Sequence, residues 1–304
     1  MLSKNGKIFK MNDYDRVKIA KKDIAAYFNN QSKNIFLKKD IGKILEENRS
    51  FWRLTQNLYT EDFIPILLKL AQLKEISLYS QEYNKTLVRY SWNKKPSIYQ
   101  IALSIKLNSY FSHYTAMYLH NLTQQIPKTI YLNTEQSKKP VKNTSLEQER
   151  IDSAFKRKVR ASQYVFSYEN WKICCLSGKN TNNLGVEELI TNEEEKLPVT
   201  NMERTLIDIS VRPIYSGGIY EVLNAFREAK GKFSVNKLLA MLKKIDYVYP
   251  YHQVIGFYMD RAGYQESQLH LVRKIEMKYD FYLDYDIKEP SYSKEWRLYF
   301  PKNF

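Results

Sequence analysis

Residues 199–218, VTNMERTLIDISVRPIYSGG, hold a strand-to-helix junction that any fold of this chain has to accommodate. Thr200 or Asn201 is placed to cap the helix through its side-chain oxygen, and Glu203 lies in the first turn, where free amides and the helix dipole favour a carboxylate. Met202, Leu206, Ile207 and Ile209 supply an apolar face. Glu203, Arg204 and Asp208 fall on or beside the opposite face, and Pro213 closes the element. Arg204 and Asp208 are four residues apart, the spacing at which side chains on adjacent turns pair. Read as structure, these charged residues cap and brace a helix that joins subdomains; read as function, they face a partner. Both readings stand at this point.

The first 95 residues carry a different pattern. Val17, Ala20, Ile24, Tyr27 and Phe28 recur at helical spacing and predict an amphipathic helix over 13–29. A second helix is expected over 37–48, burying Ile41, Ile44 and Leu45, and a third over 60–72, burying Phe63, Ile66, Leu67 and Leu70. Ile76 and Leu78 alternate with polar neighbours, 81–85 reads as a polar turn, and 86–92 returns as a second strand. Three helices followed by a hairpin match the winged helix-turn-helix plan, in which the third helix enters the major groove and the wing lies along the backbone or minor groove.

Charge points the same way. The chain holds 48 Lys and Arg against 33 Asp and Glu, a net charge of +15, and residues 1–95 contribute 19 basic side chains against 10 acidic ones. Such a surplus attracts polyanions, although AT-rich genomes also inflate Lys, Asn, Ile and Tyr throughout their proteins. The phosphate-contact candidates are Lys38, Lys39, Lys43, Arg49, Arg53, Lys85, Arg89, Lys94 and Lys95. Arg53 and Arg89 are the better candidates for a base edge, because a guanidinium can bond two acceptors on one guanine. Against this, the third helix opens with Glu61 and Asp62 and offers little beyond Lys69.

Residues 93–97, polar, charged and interrupted by Pro96, mark the boundary between a domain at 1–95 and a second at 97–304. The second is expected to be mixed: helices over 98–107 and 111–122, a strand near 128–133, a Lys-, Ser- and Thr-rich mobile loop over 134–149, strands over 163–167, 171–176 and 184–190, then helices over 219–229, after Ser234, after Pro250 and over 268–275. Alternating Phe281, Leu283, Tyr285 and Trp296, Leu298, Phe300 return to strand. The run Lys156, Arg157, Lys158, Arg160 reads equally as a second nucleic-acid patch or a solvated helix end. The fold class is thus α+β: a winged helix, then a mixed α/β domain with a small sheet.

Chemistry has little to work with. No phosphate loop, dinucleotide fingerprint or nucleophile elbow is present. His113 and His120, seven apart, lack a third ligand at motif spacing. Glu187, Glu194, Glu195 and Lys196 are the nearest approach to a metal-dependent nuclease cluster, and their spacing is that of a solvated turn. Adjacent Cys174 and Cys175 suit a reducing compartment rather than a disulfide. With no signal-like segment and no run of membrane-spanning length, the expectation is a cytoplasmic, non-enzymatic protein without metal or cofactor.

Two groups of residues together resemble one family. Glu203-Arg204-Thr205-Leu206-Ile207-Asp208, followed by Arg212-Pro213 and Gly217-Gly218, resembles the signature segment of the AbiEi-type antitoxins of bacterial type IV (abortive infection) toxin-antitoxin systems. Ser112-His113-Tyr114-Thr115-Ala116, then Leu119-His120-Asn121-Leu122-Thr123 with Pro127, Ile130 and Tyr131, is similar to that family's helix, turn and following strand. Asn121 stands where the family often has Gly, and Asn tolerates the left-handed conformation a helix end requires. The resemblance covers about residues 97 to 275 by motif and the first 95 by architecture. It implies an antitoxin that antagonises a nucleotidyltransferase toxin and represses its own operon through operator DNA. The alternative is a winged-helix regulator or a nucleic-acid-binding defence component with no toxin partner.

Overall fold

The computed structural model describes residues 11–70, 72–138 and 145–304 and is mixed α+β, dividing into two compact units at Ile105/Lys106. The first unit contains α1 (Asp13–Ile19), α2 (Lys21–Asn29), β1 (Ile35–Phe36), α3 (Lys38–Asn48), α4 (Thr60–Lys69), β2 (Leu73–Ser80), β3 (Lys85–Trp92) and α5 (Ile98–Leu103). Asn12 caps α1 by accepting from the Asp15 amide at 2.8 Å, and the expected single helix over 13–29 is broken at Ala20, which ends α1 and begins α2. The expected third helix stops at Lys69, three residues early.

β2 and β3 form the hairpin, and β1 pairs antiparallel with the far side of β3. That two-residue strand is too short to leave a periodic trace in sequence. Around it Phe28 stacks on Trp92 with ring centroids 4.5 Å apart and meets Phe36 edge-on at 5.2 Å, while Ile24, Ile41, Leu45, Phe63 and Leu67 complete the core. Trp92 Nε1 donates to Asn29 Oδ1 at 2.9 Å, fastening the end of the hairpin to the end of α2. Ser97 caps α5; the helix expected over 98–107 ends at Leu103 and falls in the first unit, whose boundary at Ile105 lies ten residues beyond the domain end expected at residue 95.

The second unit runs β4 (Tyr110–Phe111), α6 (His113–Leu119), β5 (Thr129–Glu135), α7 (Gln148–Phe155), β6 (Val165–Tyr168), β7 (Trp171–Gly178), β8 (Val186–Ile190), β9 (Lys196–Thr200), α8 (Met202–Val211), a 3-10 turn (Pro213–Tyr215), α9 (Ile219–Ala229), α10 (Val235–Ile245), α11 (Tyr251–Arg261), α12 (Glu266–Arg273), β10 (Phe281–Tyr282), β11 (Pro290–Ser293) and β12 (Leu298–Pro301). Its larger sheet has the order β6-β7-β5-β4-β9-β8, with parallel pairing at β5/β7 and β4/β9 and antiparallel pairing elsewhere; β10-β12-β11 make a small second sheet. Residues 110–111, read from sequence partly as helix, are therefore a strand. Of the loop expected over 134–149, Thr134 and Glu135 belong to β5, and 139–144 lie outside the described residues.

Asn121 adopts φ 55 just past α6, with Leu122 N–H donating to Met117 O at 2.8 Å and Asn121 N–H to Tyr118 O at 3.0 Å. This is a Schellman closure, which satisfies carbonyls the helix would otherwise leave open. The core of the unit gathers α8, α9, α10 and α11 around Leu206, Ile207, Val222, Phe226, Leu238 and Tyr258. No helix among the described residues is long and apolar enough to cross a membrane.

Candidate functional site

In the first unit the candidate cations separate into two sets. Lys39, Lys85, Lys94 and Arg53 are exposed and have no ion-pair partner among the described residues. Lys95 is exposed as well. Lys38 and Lys43 are exposed but paired, with Glu61 at 2.7 Å and Glu47 at 3.6 Å. Glu61 raises the Lys38 pKa through a hydrogen bond and its charge. Arg53 sits in the turn between α3 and α4 with φ 54, where a left-handed residue bends the chain.

Arg49 and Arg89 belong elsewhere. Arg49 is buried, its guanidinium donating to the carbonyls of Thr55 and Leu58 (the latter at 2.9 Å) and pairing with Glu46, so it ties the α3–α4 turn together instead of reaching solvent. Arg89 is also buried and donates to Ser104 O at 3.0 Å and Val88 O at 2.9 Å, which removes it as a base reader. Both carry charge in sequence but are spent on backbone carbonyls. The outward face of α4 presents Glu61, Asp62, Pro65 and Lys69.

In the second unit α8 is the organising element, and almost all of it is buried, including Glu203, Arg204 and Asp208. It has no free polar face of the kind its sequence suggests. Asn201 caps it by accepting from the Arg204 amide at 3.0 Å, and Thr200 Oγ1 lies 2.8 Å from Thr205 Oγ1. Arg204 Nε donates to Asp208 Oδ1 at 2.8 Å, and its Nη1 donates to Leu184 O at 2.7 Å and to Thr181 Oγ1 at 3.1 Å. Burial opposes the Arg204 charge, but Asp208 outweighs it, and the pKa rises above the usual arginine value. Glu203 accepts from the Ser234 amide at 3.2 Å and pairs with Lys237 Nζ at 3.2 Å, joining α8 to the start of α10.

The loop from β7 to β8 closes over Arg204. Asn182, Asn183 and Gly185 all have positive φ, and a Cβ on Gly185 would stand 2.9 Å from Arg204 Cβ and 2.9 Å from Met241 Cε, so only glycine fits that approach. Glu135 fixes the same loop by accepting from the amides of Thr181 at 2.8 Å and Asn183 at 3.2 Å and from the Thr181 hydroxyl. Burial would raise its pKa, yet those hydrogen bonds and the nearby Arg204 hold it below the ordinary value. Asn133 donates to Tyr110 Oη at 2.6 Å, and that hydroxyl lies 3.4 Å from Glu135 Oε1.

Sequence reasoning missed Tyr110, Asn133, Glu135 and Thr181. No local motif links them, since Glu135 and Thr181 meet across 46 residues.

The two histidines have separate places. His113 opens α6 with φ 52, its Nδ1 2.8 Å from Ser112 Oγ and its ring edge-on to Tyr215 at 5.5 Å. Burial, reinforced by the charges of Arg204 and Arg212 and opposed by Asp208, lowers its pKa to about 4. His120 lies beyond α6, with Nε2 donating to Thr200 O at 2.6 Å. Of the acidic cluster, Glu187 accepts from Asn201 Nδ2 at 2.7 Å and Glu194 bends the β8–β9 turn with φ 60. Among the described residues no three metal-ligating side chains converge. Burial pushes the Cys174 thiol up to about 11 and the Cys175 thiol up to about 12.

No family model matches the chain, and no curated protein matches it. Among solved structures, the crystal structure of RV2827C protein from Mycobacterium tuberculosis is similar, with a TM-score of 0.59 at 11% identity over 92% of this chain and 91% of that one. At that identity the likeness concerns fold alone.

Proposed function

We propose that the protein is an antitoxin and autorepressor of the AbiEi type, whose first unit works as a winged helix on operator DNA and whose second unit antagonises a nucleotidyltransferase toxin. The observation that carries the reading is the element order of the first unit: helices, the short strand β1, α3, α4 and the β2–β3 hairpin, with β1 closing on β3. A winged helix uses that order. Exposed Lys39, Lys85, Lys94 and Arg53 supply phosphate contacts from the hairpin side and the α3–α4 turn. The acidic start of α4 moves base reading away from that helix and toward Arg53. The resemblance of residues 203–218 and 112–131 to the family supports the antitoxin role of the second unit.

The test has two arms. Binding of the full chain to its own promoter region is measured by gel shift across a salt series, where each phosphate contact contributes a log-log slope of about 0.9. Survival is then scored in cells that express the adjacent toxin gene with and without this chain. Salt-dependent promoter binding with rescue upholds the reading. Promoter binding without rescue leaves a regulator with no toxin partner, and absence of promoter binding removes the repressor role.

A further inference from the structure

β8 ends the larger sheet of the second unit: β9 pairs with one side of it, and among the described residues no strand pairs with the other. The ladder determines which backbone groups that open side presents. Its register sets Val186 opposite Thr200, Glu188 opposite Pro198 and Ile190 opposite Lys196. At either end the next pair is bonded, with Asn201 N–H donating to Gly185 O at 2.7 Å and Thr191 N–H donating to Glu195 O at 2.9 Å. Bonded and non-bonded pairs alternate in an antiparallel ladder, so Gly185, Glu187, Leu189 and Thr191 bond toward β9, while Val186, Glu188 and Ile190 turn their backbone groups away from it. Pro198, which has no N–H to give, sits at one of the non-bonded positions, opposite Glu188. The Val186 N–H closes onto Asn183 O at 2.9 Å. The N–H and C=O groups of Glu188 and Ile190 point outward along the open edge.

The side chains along this edge are apolar and acidic. Directly opposed residues share a face, so Glu187 and Leu189 lie on the side of the buried Val199 and Leu197, and Val186, Glu188 and Ile190 on the side of Pro198 and Lys196. Ile190 is 65% exposed, and Pro198 is half-buried. Glu187 remains exposed although it accepts from Asn201 Nδ2 at 2.7 Å. Glu188 pairs with Lys196 Nζ at 3.0 Å, and an ion pair exposed on both sides holds its members weakly. Past Ile190 the hairpin turns through Asn192, Glu193 and Glu194, all exposed. Residues 187–195 thus hold five Glu and no Lys or Arg, in a chain whose net charge is +15.

An open edge is a template for another strand, and the charge it carries decides which strands fit. A second copy fits badly. Two β8 edges paired antiparallel about their middle would set Glu188 against Glu188, and like charges directly opposite are destabilising. A segment bearing Lys or Arg instead finds partners in the same carboxylates.

We infer that β8 is a docking edge for an extended basic segment of a partner protein, which joins the sheet as a strand beyond β8. In antiparallel register the complement of Val186, Glu187, Glu188, Leu189 and Ile190 reads, from its N-terminus, apolar, apolar, basic, basic, apolar, with one more basic residue ahead of it for Glu193 and Glu194. Backbone hydrogen bonds to Glu188 and Ile190 supply affinity, and the side chains that meet Glu187 and Glu188 supply selectivity. The edge belongs to the second unit alone and depends neither on operator binding nor on the antitoxin reading.

The experiment titrates the full chain into a labelled, capped peptide, Lys-Ile-Val-Lys-Arg-Val, followed by fluorescence anisotropy, and melting temperatures establish that each variant is folded. Glu188→Lys is expected to weaken binding by about tenfold or more, since it sets like charges opposite one another. Ile190→Pro removes an outward N–H without touching the bonds to β9 and should weaken binding several-fold. N-methylation of the peptide lysine opposite Glu188, whose N–H points at β8, should abolish binding. The same change at the arginine opposite Glu187, whose N–H points away, should alter it little. Absence of binding, equal binding by a peptide of the same composition in scrambled order, unchanged affinity of folded Glu188→Lys, or an equal effect of the two N-methyl groups would each overturn the docking edge. A concentration-dependent dimer that Ile190→Pro abolishes, seen by sedimentation, would assign the edge to a second copy and overturn the inference as well.

Discussion

Arg204 and Asp208, four residues apart on α8, form an ion pair at 2.8 Å with both side chains almost wholly buried. A buried pair of this kind contributes modestly when whole and costs much when halved, because the remaining charge is left without water or partner. Arg204→Ala is therefore expected to destabilise the protein by about 3 to 5 kcal/mol. Arg204→Lys should also destabilise it, since one ammonium cannot reach Asp208, Thr181 and the Leu184 carbonyl together. Denaturant melts of both variants with Asp208→Asn check this. An Arg204→Ala protein that melts like wild type but fails to protect against toxin would make the side chain a partner contact instead.

Trp296 lies against the backbone of Gly256 in α11, and a Cβ there would stand 2.1 Å from Trp296 Cζ3 and 2.5 Å from Cε3. The indole cannot retreat easily, because Nε1 donates to Asp260 Oδ2 at 3.0 Å and the Trp296 carbonyl accepts from Gln253 Nε2 at 2.9 Å. Gly256→Ala should cost at least about 1 to 3 kcal/mol through overpacking, despite the better helix propensity of alanine. Paired melts of Gly256→Ala and Gly256→Ala/Trp296→Leu test the cause, since the second change should recover part of the loss if the clash is responsible.

The depressed pKa of His113 ties stability to pH. In the unfolded chain a histidine takes up its proton near pH 6.5, whereas the folded His113 resists protonation until about 4. Between those values the unfolded state binds more protons, so stability is full above pH 6.5 and falls as pH drops toward 4. The loss from this residue is roughly 1 to 3 kcal/mol. His252, lowered by burial to about 4, acts in the same direction. Melting temperature against pH should decline from pH 6.5 to 4.5, before carboxylates such as Glu135 begin to protonate, and the decline should flatten in His113→Gln. A slope unchanged in that variant would assign the effect to other groups.

Arg49 and Arg53, four residues apart, should respond oppositely to truncation. Arg49→Ala removes bonds to the Thr55 and Leu58 carbonyls and leaves buried acceptors open, at a cost of about 1 to 3 kcal/mol. Arg53→Ala removes an exposed side chain and should change stability by no more than about 0.5 kcal/mol while weakening operator binding. Measured together, melting and gel shift separate a strut from a contact. If both variants bind operator as wild type does, the α3–α4 turn is not part of a DNA surface.

Local order was legible in the chain itself. The start of α8 at Asn201, the pairing distance between Arg204 and Asp208, the Ser234 cap of α10 and the β2–β3 hairpin follow from spacing and capping chemistry acting over a few residues. Tertiary structure decided what covers each face. Periodicity distinguishes two sides of α8, but only packing by α6, α9, α10 and α11 and closure of the β7–β8 loop bury its charged side as well. For the same reason Arg49 and Arg89 look like surface cations in sequence: carbonyls of Leu58 and Ser104 become their acceptors only when the chain folds back. Glu135 meeting Thr181 depends likewise on contacts between distant segments. Side-chain spacing fixes what neighbours along the chain can do together, whereas desolvation and long-range hydrogen bonding exist only once the sheet and helices have closed around them.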